Sequence, residues 1–365
     1  MIKRRHPARR TGARLARALG AFGVLGTLWV TRGVLISVVL VSLPIGATPM
    51  AVQVSPAAPC ADGAMQIVAH EDDDLLFQSP DLVQDVLAGR CVRTVFLTAG
   101  DAAKGETYWR GREAGSLAAY AQMAGVADRW SSSDAGLPDH AVRLMTLTDA
   151  PQVTVVFMRL PDGNRTGTGM FVHDHQSLMR LWQGYIPTIG AVDGSATYTA
   201  ASLTSTLSTL LAGFHPTTVR TGDWTIEFRH GDNADHTATA LFVRQADRAY
   251  GSSHTLLAYG GYPMWTRLPN VTGSDLKAKK NAFLAYAAHD SQICLEPWCP
   301  GDLVSTLRLS RQYVVASDST GDVTPPGTEP ATDRAHDDQI ETVGSGTIRI
   351  APAGHSVAQM PHPLQ

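Results

Sequence analysis

The 365-residue sequence predicts an α/β fold, a Rossmann-like and mostly parallel sheet with helices on both faces. Three observations predict it. Short β-rich runs alternate with helical stretches from about Ala64 to Ser317, the order that sets a parallel sheet between helices. Two of the β runs end in polar loops, AHEDDD and TAGDAAKG, where open α/β sheets hold their ligands. The composition is 44% hydrophobic and 17% charged, which gives a chain of this length a substantial core.

The elements follow in order. MQIVAH is a strand, and DLLFQSPDLVQDVLAG has the pattern of an amphipathic helix ending at Gly89. VRTVFLTAG is a second buried strand, and GREAGSLAAYAQMAGV is a helix whose small residues permit close packing. QVTVVFMRLPDG adds a strand ending in a turn, TYTAASLTSTLSTLLAGF a helix, and TTVRT another strand. SDLKAKKNAFLAYAAH reads as an amphipathic helix with a solvated lysine face and no chemistry. Residues 318–365 are rich in Pro, Gly, Thr and Asp, the composition of a flexible tail without a catalytic role. No internal repeat is present.

Residues 1–51 read as a signal peptide or an N-terminal membrane anchor. A basic stretch without acids, MIKRRHPARRTGARLARALG, precedes two apolar runs divided by Thr31 and Arg32, with small residues near Ala47 and Ala51. Either reading places the rest of the chain outside the cytoplasm, so membrane contact is expected only through that anchor. All four cysteines follow this segment, as disulfides in an exported chain would. Cys60 with Cys91, and Cys294 with Cys299, are the expected pairs. The net charge of −3 gives no basic surface for nucleic acid, and neither polar loop has GxGxxG or P-loop spacing.

The loop AHEDDD, His70 to Asp74 after Ala69, admits two readings from its residues alone. Charge runs are commonly solvated turns. A histidine beside carboxylates also offers the ligands that a zinc-like cation accepts, with a further carboxylate free to take a proton from water.

AHEDDD resembles the AHPDDE signature of the LmbE/PIG-L family of zinc-dependent deacetylases, which remove acetyl groups from N-acetylated sugars. The resemblance continues through VRTVFLTAGDAAKG, RGREAGSLAAYAQMAGV, FMRLPDGN and DWTIEFRHGDNADHTATALFVRQA. It implies an LmbE-like deacetylase domain over residues 52–317, Zn2+ or another divalent metal as cofactor, and an N-acetylated sugar or glycoconjugate as substrate. It makes His70, Asp73 and His236 metal ligands and Asp72 the general base. It places Asp235 as the carboxylate supporting the active-site histidine and Arg112 in contact with substrate. Trp109, beside Arg112, is expected to stack on the substrate. Three positions depart from the pattern: Glu71 replaces a proline, Asp74 a glutamate, and Asn233 a histidine credited with proton donation. Asn233 donates a hydrogen bond but no proton, so the proton for the leaving amine is expected either from Asp72, returning the one it took, or from His230.

His173 and His175 are assigned to a rim or surface, His215 to a helix end, and His289 to a structural role. The aromatics of YGGYPMW fit a glycan platform or a core equally well. The functional expectation is an exported zinc-dependent N-deacetylase acting on an N-acetylhexosamine-containing glycan or glycoconjugate. Its rivals are an amidase on a non-sugar N-acyl compound and a glycan-binding homologue without turnover.

Overall fold

The computed structural model describes residues 62–138, 140–293 and 307–320. Its elements run β1 (Gly63–Val68), α1 (Asp73–Phe77), α2 (Asp81–Leu87), β2 (Cys91–Thr98), α3 (Glu106–Ala124), β3 (Trp130–Asp134), β4 (Arg143–Leu147) and β5 (Val153–Leu160). They continue with α4 (Leu178–Trp182), β6 (Ile189–Gly190), β7 (Thr197–Tyr198), α5 (Ala200–Phe214), β8 (Thr218–Gly222), α6 (Ala234–Asp247), β9 (His254–Tyr259), α7 (Gly273–Ala287) and β10 (Val314–Thr320). Eight strands form one sheet in the order β10-β9-β8-β1-β2-β5-β4-β3. The run β9-β8-β1-β2-β5 is parallel, and the outer strands β10, β4 and β3 pair antiparallel.

Both faces of the parallel strands are buried, and alternate residues go to opposite cores. Ile67, Val95, Leu97, Val156 and Met158 join one cluster with α4, α5 and α6. Val68, Val92, Phe96, Val155 and Phe157 join the other with α1, α2, α3 and α7. This two-sided burial is why the strands read as near-continuous apolar runs.

The expected α/β class is what the structure has, with three local differences. The stretch DLLFQSPDLVQDVLAG is two helices, α1 and α2, because a residue before proline is pushed out of the helical region and Pro80 interrupts the pattern. Its expected end holds, with Gly89 at φ +70°. Strands β3 and β10 are polar or half-exposed edge strands, WSSSD and VVASDST, whose sequences carry little strand signal. The helix SDLKAKKNAFLAYAAH does not present all its lysines to water. Lys279 is fully buried on α7 and donates to the carbonyls of Leu76 (2.8 Å) and Arg311 (2.7 Å).

Cys91 is disulfide-bonded. The other three cysteines lie outside the described residues, and the two expected pairings with them. The N-terminal segment and most of the tail lie outside as well. Among the described residues no helix is long and apolar enough to cross a membrane.

Burial holds the Lys279 amine well below its ordinary pKa of 10.5, against a weaker pull from Asp81. Between the folded and unfolded values the native chain therefore binds fewer protons, so this group's contribution to stability rises with pH up to about 10.5. Urea midpoints measured from pH 7 to 10.5 are expected to climb more steeply for the wild type than for Lys279→Met. Parallel pH profiles would refute this.

Candidate metal centre and active site

The C-terminal ends of β1, β2 and β8 deliver the polar loops to one place. β1 ends at Val68, so His70 follows directly, and α1 starts at Asp73. α6 begins just after Asn233, whose Oδ1 accepts from the Asp235 backbone N–H at 2.9 Å as its N-cap. This first turn carries Asp235 and His236 inward, both buried.

Three side chains then converge. The Nδ1 of His70 lies 3.2 Å from Asp73 Oδ2 and 3.2 Å from His236 Nε2, which is 3.0 Å from Asp73 Oδ1. Two ring nitrogens and a carboxylate at such spacing repel one another unless protons or a cation lie between them. Ligand atoms about 2.0–2.1 Å from a tetrahedral zinc are about 3.3 Å apart, so the spacing fits a divalent ion. One ligand atom from each of His70, Asp73 and His236 falls within 4.8 Å of the others.

The outer ring nitrogens also face carboxylates. His236 Nδ1 is 2.8 Å from Asp232 Oδ1, and His70 Nε2 is 3.6 Å from Asp235 Oδ2. Such partners orient metal-binding histidines and raise their basicity. Asp235 is held in turn by the Gly163 N–H at 2.7 Å, and Asp232 by the Tyr262 N–H at 3.0 Å. Without a metal, burial disfavours both imidazolium ions. The carboxylates together outweigh it, Asp73 with Asp235 at His70 and Asp73 with Asp232 at His236, so both pKa values rise well above 6.5. Burial likewise opposes ionisation of Asp73, and the two histidines outweigh it and hold its carboxyl below the ordinary range.

The remaining acids of the loop separate. Asp72 Oδ1 accepts from Arg112 Nη2 at 2.7 Å, and burial raises its pKa against the pull of that arginine. Glu71 is fully buried, with neither carboxylate oxygen hydrogen-bonded and its nearer oxygen 3.6 Å from Arg112 Nε. Burial lifts its pKa to about 8. Asp74 turns into the core beside Tyr120, 2.5 Å away, and burial lifts it to about 7.

The model of the family described as PIG-L: GlcNAc-PI de-N-acetylase matches residues 65–247. The chain belongs to this family. No curated protein matches the chain in sequence. Among solved structures, A40926 pseudoaglycone deacetylase is 15% identical with a TM-score of 0.40, over 67% of this chain and 87% of that one. N,N'-diacetylchitobiose deacetylase from Pyrococcus horikoshii is 12% identical with a TM-score of 0.38, over 67% and 75%. The hydratase GalB from Pseudomonas putida KT2440 is 11% identical with a TM-score of 0.37, over 68% and 82%. These likenesses are too distant to bear on chemistry.

In this PIG-L family member the structure brings His70, Asp72, Asp73, Asn233, Asp235 and His236 to one buried locus. Of the other three expected residues, Arg112 adjoins this locus through Asp72, while Trp109 and His230 make their contacts elsewhere. Arg112 is 0% exposed, with its nitrogens on Asp72, the Gly100 carbonyl and Tyr286. A Cβ on Gly100 would sit 2.1 Å from Arg112 Nη1, so the guanidinium lies directly against that glycine. Trp109 is buried, with the guanidinium of Arg110 4.4 Å from the centre of its indole and that of Arg159 4.9 Å away, and offers no open face. The His230 side chain is 65% exposed, near Glu227 and the Phe228 carbonyl rather than the cluster. Glycine at 231 and the cap at 233 turn the chain between His230 and α6.

Sequence reasoning missed Asp232, although it stands four residues before His236 in GDNADH. It also missed the pair of His173 Nε2 with Asp101 Oδ2, at 2.7 Å, which joins the rim loop to the end of β2. YGGYPMW divides: Tyr262 packs edge-on to His236 at 5.0 Å, while Trp265 is exposed.

Asp232→Ala is expected to weaken zinc binding roughly 10–100-fold, and His236→Ala to abolish it, read by chelator competition. Zinc binding displaces protons from His70 and His236, whose pKa values are raised, so affinity is expected to rise with pH and proton release to appear in calorimetry across buffers. Affinity flat from pH 6 to 8 would contradict this.

Proposed function

We propose that this chain is an exported, zinc-dependent N-deacetylase that hydrolyses the acetamide of an N-acetylhexosamine-containing glycan or glycoconjugate. Family membership supports the reaction class. The observation that carries the reading is the convergence of His70, Asp73 and His236 at 3.0–3.2 Å with carboxylates behind both rings. A zinc ion, when bound there, acidifies water and polarises a carbonyl.

The chain's own residues do the rest. Arg112 occupies one oxygen of Asp72, and the other takes a proton from the attacking water. Burial raises this carboxyl, toward the range in which a base works near neutral pH. The water oxygen bonds to the amide carbon, the carbon–nitrogen bond breaks, and Asp72 returns its proton to the departing nitrogen. Acetate and a free amine result. Asn233, capped into α6 through its Oδ1, keeps its amide N–H groups for the developing oxyanion. The outward placement of His230 favours Asp72 over it as the proton donor.

A non-sugar N-acyl amide is the second reading. It is favoured by the burial of Arg112 and Trp109, the two side chains expected to recognise a sugar. Export rests on the sequence of residues 1–51.

Acetate release from a panel of N-acetylglucosamine glycosides and non-sugar N-acetyl compounds, with and without chelator, tests the reading. Chelator-sensitive release from the glycosides supports it, and no release from any compound points to a binding protein. Asp72→Asn is expected to lose about 10²–10⁴-fold in kcat with its zinc content unchanged. His230→Gln is expected to keep wild-type turnover. A large loss in that variant would return the proton-donor role to His230.

A further inference from the structure

α7 lies beyond residue 247, where the family match ends, yet it packs tightly on α3. A Cβ on Gly111 would fall 2.8 Å from the His289 carbonyl oxygen, and one on Gly115 would fall 2.7 Å from that of Tyr286. Those two small residues let the end of α7 reach the side of α3 that carries Arg112.

There Arg112 Nε donates to the Tyr286 hydroxyl at 2.7 Å, and the hydroxyl donates to Asp290 Oδ2 at 2.8 Å. The same Asp290 oxygen is 3.3 Å from Nε. The opposite edge of the guanidinium reaches Asp72 at 2.7 Å through Nη2, and Nη1 reaches the Gly100 carbonyl at 2.7 Å. All three nitrogens are thus fixed, with Nε held from α7. Arg112, Tyr286 and Asp290 are each buried, so no solvent competes for these contacts and their geometry is transmitted without slack.

We propose that Tyr286 and Asp290 are positioning residues for Asp72, acting through Arg112, so that the working site of this chain includes a helix outside the family's matched region. The proposal rests on the reading of Asp72 as the base. An arginine fork pinned on one side by a phenol and a carboxylate can present its other side to Asp72 in one orientation only. Loss of the pin frees the Asp72 carboxylate to rotate away from the position in which it takes a proton, without touching any of His70, Asp73 or His236.

Tyr286→Phe keeps the ring packing and removes the hydroxyl, and Asp290→Asn keeps the shape and removes the charge. Each is expected to lower kcat roughly 10–100-fold with KM, zinc content and melting temperature close to wild type, because the interaction lost is one used in the reaction rather than in binding. A crystal structure of Tyr286→Phe is expected to show the Asp72 carboxylate displaced from its wild-type position. Wild-type kcat in both variants would overturn the proposal. So would a loss of turnover matched by a loss of zinc or of thermal stability with Asp72 unmoved. If the wild-type chain hydrolyses no compound in the panel, the deacetylase reading fails by itself. The crystallographic comparison then decides the positioning claim, supported by a displaced Asp72 and overturned by an unmoved one.

Discussion

The buried guanidinium of Arg112 is the constraint on which the acidic loop depends. Within reach of it lie Asp72 at 2.7 Å, Asp290 at 3.3 Å and Glu71 at 3.6 Å. One cation does not neutralise three carboxylates in a medium from which water is excluded. The structure lessens the excess by burying Glu71, which lifts its pKa to about 8 and disfavours its charge. Removing the arginine would strand charge in the interior, a loss on the order of 3–5 kcal/mol for a buried pair. The loop is therefore shaped by charge compensation from α3 and α7 as much as by its own sequence.

The same logic runs through the histidine side of the site. His236 stands between Asp73 and Asp232, and His70 between Asp73 and Asp235. Each ring is sandwiched between an inner and an outer carboxylate, so its orientation is set before any ion arrives. Prior orientation of this kind is what lets a catalytic site act without reorganising during reaction. Both outer carboxylates hang on backbone N–H groups, of Gly163 and Tyr262, that lie after β5 and β9. Strands on both sides of β1 thus contribute to holding two rings.

The departures from the family pattern acquire distinct meanings in this setting. Glu71, where the family has proline, lies against Arg112 and offers no open oxygen to solvent or ligand. Asp74, one carbon shorter than the family's glutamate, turns to Tyr120 and the amide of Leu75 within the core. Asn233 serves as the cap that starts α6 and so places Asp235 and His236. None of the three is a solvated surface acid or a vacant substitute.

The alternation of apolar strands and helices, the helix end at Gly89, and the ligand types in AHEDDD and NADH were legible in the sequence. They depend on local periodicity, on backbone preference and on the intrinsic chemistry of imidazole and carboxylate. So did the two-sided burial of the parallel strands, because their apolar runs do not alternate with polar residues. The antiparallel edges β3 and β10 were not legible, since polar strands are specified by their neighbours in the sheet. The split at Pro80 could have been read from the proline itself. Tertiary structure alone decided which charged groups are alone and which are paired. Arg112, a substrate contact by family resemblance, and Trp109 beside it are interior groups because α7 and Arg159 are packed on them. Lys279 looks solvated on a helix wheel and is buried because two carbonyls far apart in the chain meet its amine. Asp232 gains its role from the turn that aims His236 inward. Burial and pairing are properties of distance in space, and a sequence records only distance along the chain.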